Sequence, residues 1–464
     1  MHDIVTDKAM RFRPPAPVPA EHARGTFAIL KALRDNPIEL WTRAHFEEPI
    51  VESRLAFGRV IVVSEPAAIR KVLVENTGDY RKSAIQTRVL SVALRNGLLT
   101  VEGDQWKRQR RTLAPLFARK TVMGYSPAMG EVIDALIARW RAAGPGQALD
   151  IGAQMNRLAL DVLARSCFSD GIGDNPDAMR AAMMAYVEIA GRIDPFDVMG
   201  VPEYIPRLTR WKARPLLRYF DDAVSAMIGR RRSRLAHSPN EAPRDLLAAL
   251  MDARDPETGA PMSEIEVKAN ILTFIAAGQD TTANGLTWAL YLLASSREWR
   301  DKVRAEAQAE FGAGLEGLAE RLTNTRAVFD ESLRLYPPIT ATSRAAGRRD
   351  QIAGRVIEKG AMVVVAPYIV HRHRQLWDDP DIFDPTRFLP GAPRKIERGA
   401  FIPFGSGARM CLGASFAHQE AVIVLASLVR AFDLELTPGQ TVWPHQGITL
   451  RPRDPLLMTA RAVG

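Results

Sequence analysis

One cysteine stands where chemistry is possible. Cys411 lies in Phe404-Gly405-Ser406-Gly407-Ala408-Arg409-Met410-Cys411-Leu412-Gly413. Glycines at 405 and 407 permit a tight turn at positive φ and a close approach of the backbone to something flat. A helix-like run from Ala414 to Phe432 follows, so backbone N–H groups and a helix N-terminus could stabilise a thiolate. The residues alone leave three readings open: an inert buried thiol, a nucleophile, or a metal ligand. A nucleophile needs a base. His418, seven residues on, lies roughly 10 Å up a helix axis, too far for contact. The second unusual stretch is Ala277-Gly278-Gln279-Asp280-Thr281-Thr282 inside an otherwise apolar run. Glycine costs helix stability there, and a buried aspartate is costly unless partnered. A threonine hydroxyl can bond back to the carbonyl four residues earlier, here Ala277, and open the helix locally.

The elements that must position these residues are mostly helical. Apolar residues recur at spacings of three and four in Glu131–Ala142, Gln154–Phe168, Asp177–Arg192, Ala213–Leu235 and Ser296–Phe311. Strand-like runs are fewer, Arg59–Val63 and Met362–Val365 being the clearest. Ser263-Glu264-Ile265-Glu266 forms a capping box, with Met262 and Val267 placed as a hydrophobic staple. A helix from there to Ser296 spans roughly 50 Å at 1.5 Å per residue. The sequence predicts a mainly α fold with a small β portion: a proline-rich segment over 1–25, then a single large helical domain over 26–464 with a long central helix.

Five motifs together carry a resemblance. Phe404, Gly407, Arg409, Cys411 and Gly413 match F-x-x-G-x-R-x-C-x-G, which resembles the heme-binding loop of the cytochrome P450 monooxygenases. Glu331-Ser332-Leu333-Arg334 is similar to the family's E-x-x-R helix, and Pro385-Thr386-Arg387-Phe388 to its P-x-R-F segment. Ala277–Thr282 resembles its oxygen-activating helix, and Trp106 to Arg110 its W-x-x-x-R helix. The resemblance covers roughly residues 58 to 450. It implies the P450 fold, with heme b held between the central helix and the cysteine loop and Cys411 as the axial iron ligand. An axial thiolate favours O–O cleavage more than a histidine does.

The resemblance further implies that Trp106, Arg110, Arg344 and Arg409 reach the heme propionates, and that Phe404, Gly405 and Gly413 shape the cysteine loop. Arginine's planar fork suits a carboxylate. Glu331, Arg334 and Arg387 are expected as a buried network beneath the cofactor. Asp280 and Thr281 are expected to deliver protons during oxygen activation, with Gly278 letting the helix approach the heme; Gln279 receives no chemistry. Family members driven by peroxide can lack this acid–alcohol pair, so reductive activation is the expectation here. The alternative is a heme-thiolate protein without monooxygenation: a peroxide-driven enzyme, an isomerase or a gas sensor.

The expected substrate is a hydrophobic small molecule: a fatty acid, terpenoid, steroid or aromatic compound. Its pocket is expected to be bounded by Arg88–Thr100, Ile275–Thr281, Ile339–Ala341 and a lid around Pro195–Trp211. With no flavin motifs present, electrons are expected from a ferredoxin and its reductase. Lys107, Arg108, Arg111, Arg119, Lys120, Arg394, Lys395 and Arg398 could form a basic docking face for such an acidic carrier; a plain solvated surface is the rival reading.

Composition fits a globular protein: 464 residues, 47% hydrophobic and 25% charged, which excludes a disordered chain. The charge of +9 is dispersed and argues against nucleic acid. Two cysteines, Cys167 and Cys411, build no disulfide framework, and the N-terminal residues carry no signal-peptide core. A cytoplasmic protein without a membrane anchor is expected.

Overall fold

The computed structural model describes residues 12–22, 25–55, 58–83, 87, 94–169, 171–172, 175–190, 208–392 and 394–463. The expected lid over 195–207 and the segment 88–93 lie outside them. The longer helices are α1 (Thr26–Asp35), α2 (Gly103–Leu113), α3 (Ser126–Ala143), α4 (Ile151–Cys167), α5 (Pro176–Ala190), α6 (Leu208–His237), α7 (Glu264–Ser295), α8 (Arg297–Glu310), α9 (Thr323–Leu335) and α10 (Ala414–Ala431). α6 begins five residues before the apolar periodicity predicts, and local chemistry explains two other shifted starts. α3 begins at Ser126 because Pro127 suits its first turn. α4 begins at Ile151 because the Asp150 side chain caps it, accepting from the Ala153 N–H.

α7 is the axis of the molecule. Ser263 accepts a bond from the Glu266 N–H while the Glu266 carboxylate accepts from the Ser263 N–H at 3.0 Å, so the capping box forms as predicted. The helix has 32 residues, and its C-terminal half is buried on nearly every side. Two glycines let its neighbours close in. A Cβ at Gly278 would stand 3.1 Å from a Leu163 methyl of α4, and one at Gly285 would stand 3.3 Å from the Phe329 ring of α9. Gly278 therefore serves the α4–α7 contact.

The strands are β1 (Ile50–Leu55), β2 (Gly58–Val63), β3 (Tyr80–Lys82), β4 (Ala148–Asp150), β5 (Thr342–Ala346), β6 (Asp350–Ile352), β7 (Arg355–Ile357), β8 (Met362–Val365), β9 (Phe432–Leu436), β10 (Pro444–Gln446), β11 (Leu450–Pro452) and β12 (Leu457–Ala462). One sheet runs β1-β2-β8-β5-β3, a second β4-β12-β9, and β6–β7 and β10–β11 are hairpins. β3 is an edge strand, paired antiparallel to β5 so that Lys82 faces Arg344. The β10–β11 hairpin is pinned to the central helix, because the Trp288 Nε1–H donates to the Leu450 carbonyl at 3.0 Å. Among the described residues no helix is long and apolar enough to cross a membrane.

Candidate functional site

The cysteine loop is built by glycine. Gly405 and Gly407 adopt φ of 74° and 73°, the left-handed region that glycine enters without strain. A Cβ at Gly407 would lie 2.0 Å from the Leu73 carbonyl oxygen, so the turn rests directly on the backbone of the 71–75 segment. The Cys411 N–H then donates to the Phe404 carbonyl at 2.8 Å, closing the loop before α10 begins. Cys411 keeps accessible surface on one side while protein crowds it on the others. Burial is the largest influence and pushes its thiol pKa up; the Gly413 N–H bonded to sulfur and the nearby Arg110 charge pull the other way. The expected thiolate stabilisation is thus present, but burial outweighs it in the protein alone.

His418 offers Cys411 no base. Its Nε2 pairs with Asp330 on α9 at 2.7 Å, and its ring lies 5.0 Å from the Phe404 ring. Among the described residues no cluster of three or more His, Cys, Asp or Glu could cage a metal. Cys411 is a lone donor, which suits a metal that arrives with its other ligands.

Beside the loop lies a cluster of cations. The Arg110 Nη1–H donates to the Met410 carbonyl at 2.8 Å. The Arg409 guanidinium sits 4.0 Å over the Trp106 ring and donates to Glu102 at 2.6 Å and to the Val101 carbonyl at 3.0 Å. Arg344 donates to Thr342 Oγ1 at 2.9 Å and to the Ser343 carbonyl at 3.0 Å. Burial lowers the pKa of all three arginines. A fourth cation was not anticipated: Lys82, 6% exposed, bonds the Leu99 carbonyl with its Nζ 4.0 Å from Glu102. Burial first, then Arg409, lowers its pKa to about 7. Three of these cations, Lys82, Arg344 and Arg409, share the single carboxylate of Glu102, and two of them, Lys82 and Arg344, stand directly opposite on neighbouring strands. Like charges so placed repel. A dianionic guest resolves the conflict, and the two carboxylates of heme b are such a guest. Lys82 escapes sequence reasoning because only the β3–β5 register sets it opposite Arg344.

Beneath this cluster, Glu331 and Arg334 are completely buried and joined by two bonds of 2.6 and 2.7 Å. Arg334 also donates to the carbonyls of His371, Pro380 and Ile382, and the Glu331 carboxylate accepts the Asp384 N–H at 2.8 Å. Arg387 is looser: its Nε lies 3.7 Å from Glu331, and its guanidinium bonds the Asp379 carbonyl.

Asp280 and Thr281 sit midway along α7 and bond none of the residues above. The Thr281 hydroxyl donates to the Ala277 carbonyl at 2.6 Å, the back-bond expected, and Ala277 is exposed at the centre of this buried helix. Asp280 turns elsewhere. Thr449 Oγ1 donates to its Oδ2 at 2.5 Å and Asn284 Nδ2 to its Oδ1 at 3.2 Å. Burial raises its pKa, while the Thr449 bond, the Arg451 charge and the Asn284 bond act against that rise. The segment before α2 is tied to α7 by Asn270 Oδ1, which accepts the Leu98 N–H at 2.9 Å. Leu99 at 37% and Ile339 at 39% leave apolar surface uncovered in two of the expected pocket segments.

The expected basic face is largely compensated. Lys107 pairs with Asp104, Arg108 with Glu266, Arg111 with Asp255, Arg119 with Glu320 and Arg394 with Asp378. Among the described residues Lys120, Lys395 and Arg398 have no ion pair and are exposed.

Comparison with known proteins agrees with this architecture. The family model described as Cytochrome P450 matches residues 19–459. Cyclooctat-9-en-7-ol 5-monooxygenase of Streptomyces melanosporofaciens is 30% identical, over 89% of this chain and 88% of that protein. Pentalenene oxygenase of Streptomyces avermitilis is 29% identical, over 92% of this chain and 94% of that one. A cytochrome P450 crystal structure superposes with a TM-score of 0.82 at 26% identity, covering 97% of this chain and all of the other.

Proposed function

The chain belongs to the cytochrome P450 family and is a heme b monooxygenase, and from that premise we propose that it oxygenates a terpenoid-like hydrophobic molecule with electrons from a ferredoxin and its reductase. The observation that carries the substrate class is its whole-length similarity to two bacterial proteins whose names denote oxygenation of terpenoids. Apolar surface at Leu99, Ala277 and Ile339 suits such a guest. A reducing, cytoplasmic setting fits the two free cysteines.

When bound, heme supplies the iron at which O2 is activated with two electrons, so that one oxygen atom enters the substrate and the other leaves as water. The protein's own residues set the conditions. Cys411 Sγ provides the thiolate, its charge offset by the Gly413 N–H and Arg110. Arg110, Arg344, Arg409 and Lys82 would hold the propionates, with the Arg409 guanidinium resting 4.0 Å over the Trp106 ring. Thr281 places a hydroxyl on the exposed turn at Ala277, and Asp280, the preceding residue, is the acid that would supply it a proton.

Titration of the ferric protein with terpenoids, fatty acids, steroids and aromatics, read at the Soret band, tests the reading. Terpenoids are expected to produce the high-spin shift and to be oxygenated on turnover. A shift produced by fatty acids or steroids and not by terpenoids would remove the substrate class. A folded protein that takes up no heme would remove the whole reading.

A further inference from the structure

Asp280 is fastened to a different part of the chain from the helix that carries it. Thr449, 3% exposed, precedes β11 and gives its single hydroxyl proton to Asp280 Oδ2. The same hydroxyl oxygen accepts from Asn284 Nδ2 at 3.0 Å, and Asn284 also donates to the Asp280 carboxylate and to its backbone carbonyl. Carboxylate, hydroxyl and amide thus close a small buried network between α7 and the hairpin. Arg451, two residues past Thr449 and exposed, is the charged group whose field reaches Asp280; His445 faces Arg451 across the hairpin.

Such a network does more than join two elements. A hydroxyl that donates to a carboxyl oxygen favours the ionised form. Burial favours the neutral form. Burial prevails and raises the Asp280 pKa, with the Thr449 bond, the Arg451 charge and the Asn284 bond opposing it. Thr281, one residue on, directs its own hydroxyl to the accessible side of the helix. Asp280 thus carries the hairpin's hydrogen bonds on the residue that immediately precedes Thr281.

We propose that Thr449 and Asn284 are positioning residues for proton delivery, holding the Asp280 carboxyl as the junction between solvent beside Arg451 on the β10–β11 hairpin and the Thr281 hydroxyl. The proposal rests on the monooxygenase reading and extends it to residues outside the acid–alcohol pair. In the relay no electron moves. The Asp280 O–H bond breaks as its proton passes to the Thr281 side, and the resulting carboxylate takes a proton back from water at the hairpin.

Infrared difference spectra of the ferric protein separate this role from a purely structural tie. The Asp280 carboxyl band is identified by its loss in Asp280→Asn, and its pH midpoint is read without turnover. In Thr449→Val the midpoint is expected to rise by roughly one pH unit, because one donor to the carboxylate is gone. Peroxide released per reductant consumed is expected to rise several-fold, and Thr449→Ser to restore both values. A Thr449→Val protein with the parent midpoint and the parent peroxide yield would overturn the proposal, and Asn284→Ala gives the same reading if the valine variant does not fold. A parent protein that oxygenates none of the compounds removes the monooxygenase reading and this inference with it. An unchanged midpoint and peroxide yield in an active parent background remove the inference alone.

Discussion

Lys82 is held in the fold near a pKa of about 7, against 10.5 for an ordinary lysine, chiefly by burial. Between those values the unfolded chain holds the extra proton, so the stability of the heme-free protein is expected to rise with pH from about 7 upward. Lys82→Met is expected to raise the Tm of the heme-free protein by a few degrees near pH 7, with the gain shrinking toward pH 10, and to speed heme loss from the holoprotein. Melting curves across that range and transfer of heme to a scavenger protein check both halves. A melting temperature unmoved by the substitution would mean that the ammonium is not strained. At Thr281 the expectation is different. The alanine variant keeps the fold, because the lost bond is a local back-bond to Ala277, but it is expected to consume reductant and release mainly peroxide. Product per electron equal to the parent's would remove the threonine from proton delivery. Cys411, Arg110 and Arg409 could be named from local motifs; Lys82, Glu102 and Thr449 could not, since each acquires its partner across a sheet register or a chain reversal.

At the scale of elements, the buried pair on α9 decides whether the floor of the site holds. Glu331 carries two bonds to Arg334 and one to the Asp384 N–H, all without water. Removing the carboxylate strands a fully buried guanidinium, a loss of about 3–5 kcal/mol. Glu331→Ala is therefore expected to reach the soluble fraction poorly and to lack heme; a soluble variant with a parent-like Soret band would show that the backbone carbonyls alone satisfy Arg334. Arg387 tolerates more, because it faces Glu331 at 3.7 Å and does not bond it. The capping box gave the start of α7 from four residues of sequence, periodicity found α3, α4, α5, α6 and α8, and the resemblance supplied α2 and α9, while α1 went unnamed. The shifted starts of α3 and α4 follow a proline and a cap. The role of Gly278 could not be read locally, since what it accommodates is Leu163, more than a hundred residues away.

For the molecule as a whole, the charge that faces a redox partner is smaller than the sequence count suggests. Five of the eight cations expected there are paired with acids, four of them with acids more than ten residues away in sequence, which leaves Lys120, Lys395 and Arg398. Surface pairs screen one another, so reduction by a ferredoxin is expected to slow only modestly between about 0.05 and 0.5 M salt. Stopped-flow reduction rates check this, and a fall of several orders of magnitude would mean that the paired arginines still steer. The fold class and the family were legible at this scale because five separate motifs fell in one order. The lid around Pro195–Trp211 was placed by the resemblance, and its residues 195–207 lie outside the described residues.

One consequence of the sheet reaches beyond catalysis. β3 is a three-residue edge strand whose last residue, Lys82, is opposed to Arg344 by charge. In the chain without porphyrin that edge is therefore expected to open first, so limited proteolysis is expected to cut at β3 in the heme-free protein and to spare it once heme is bound.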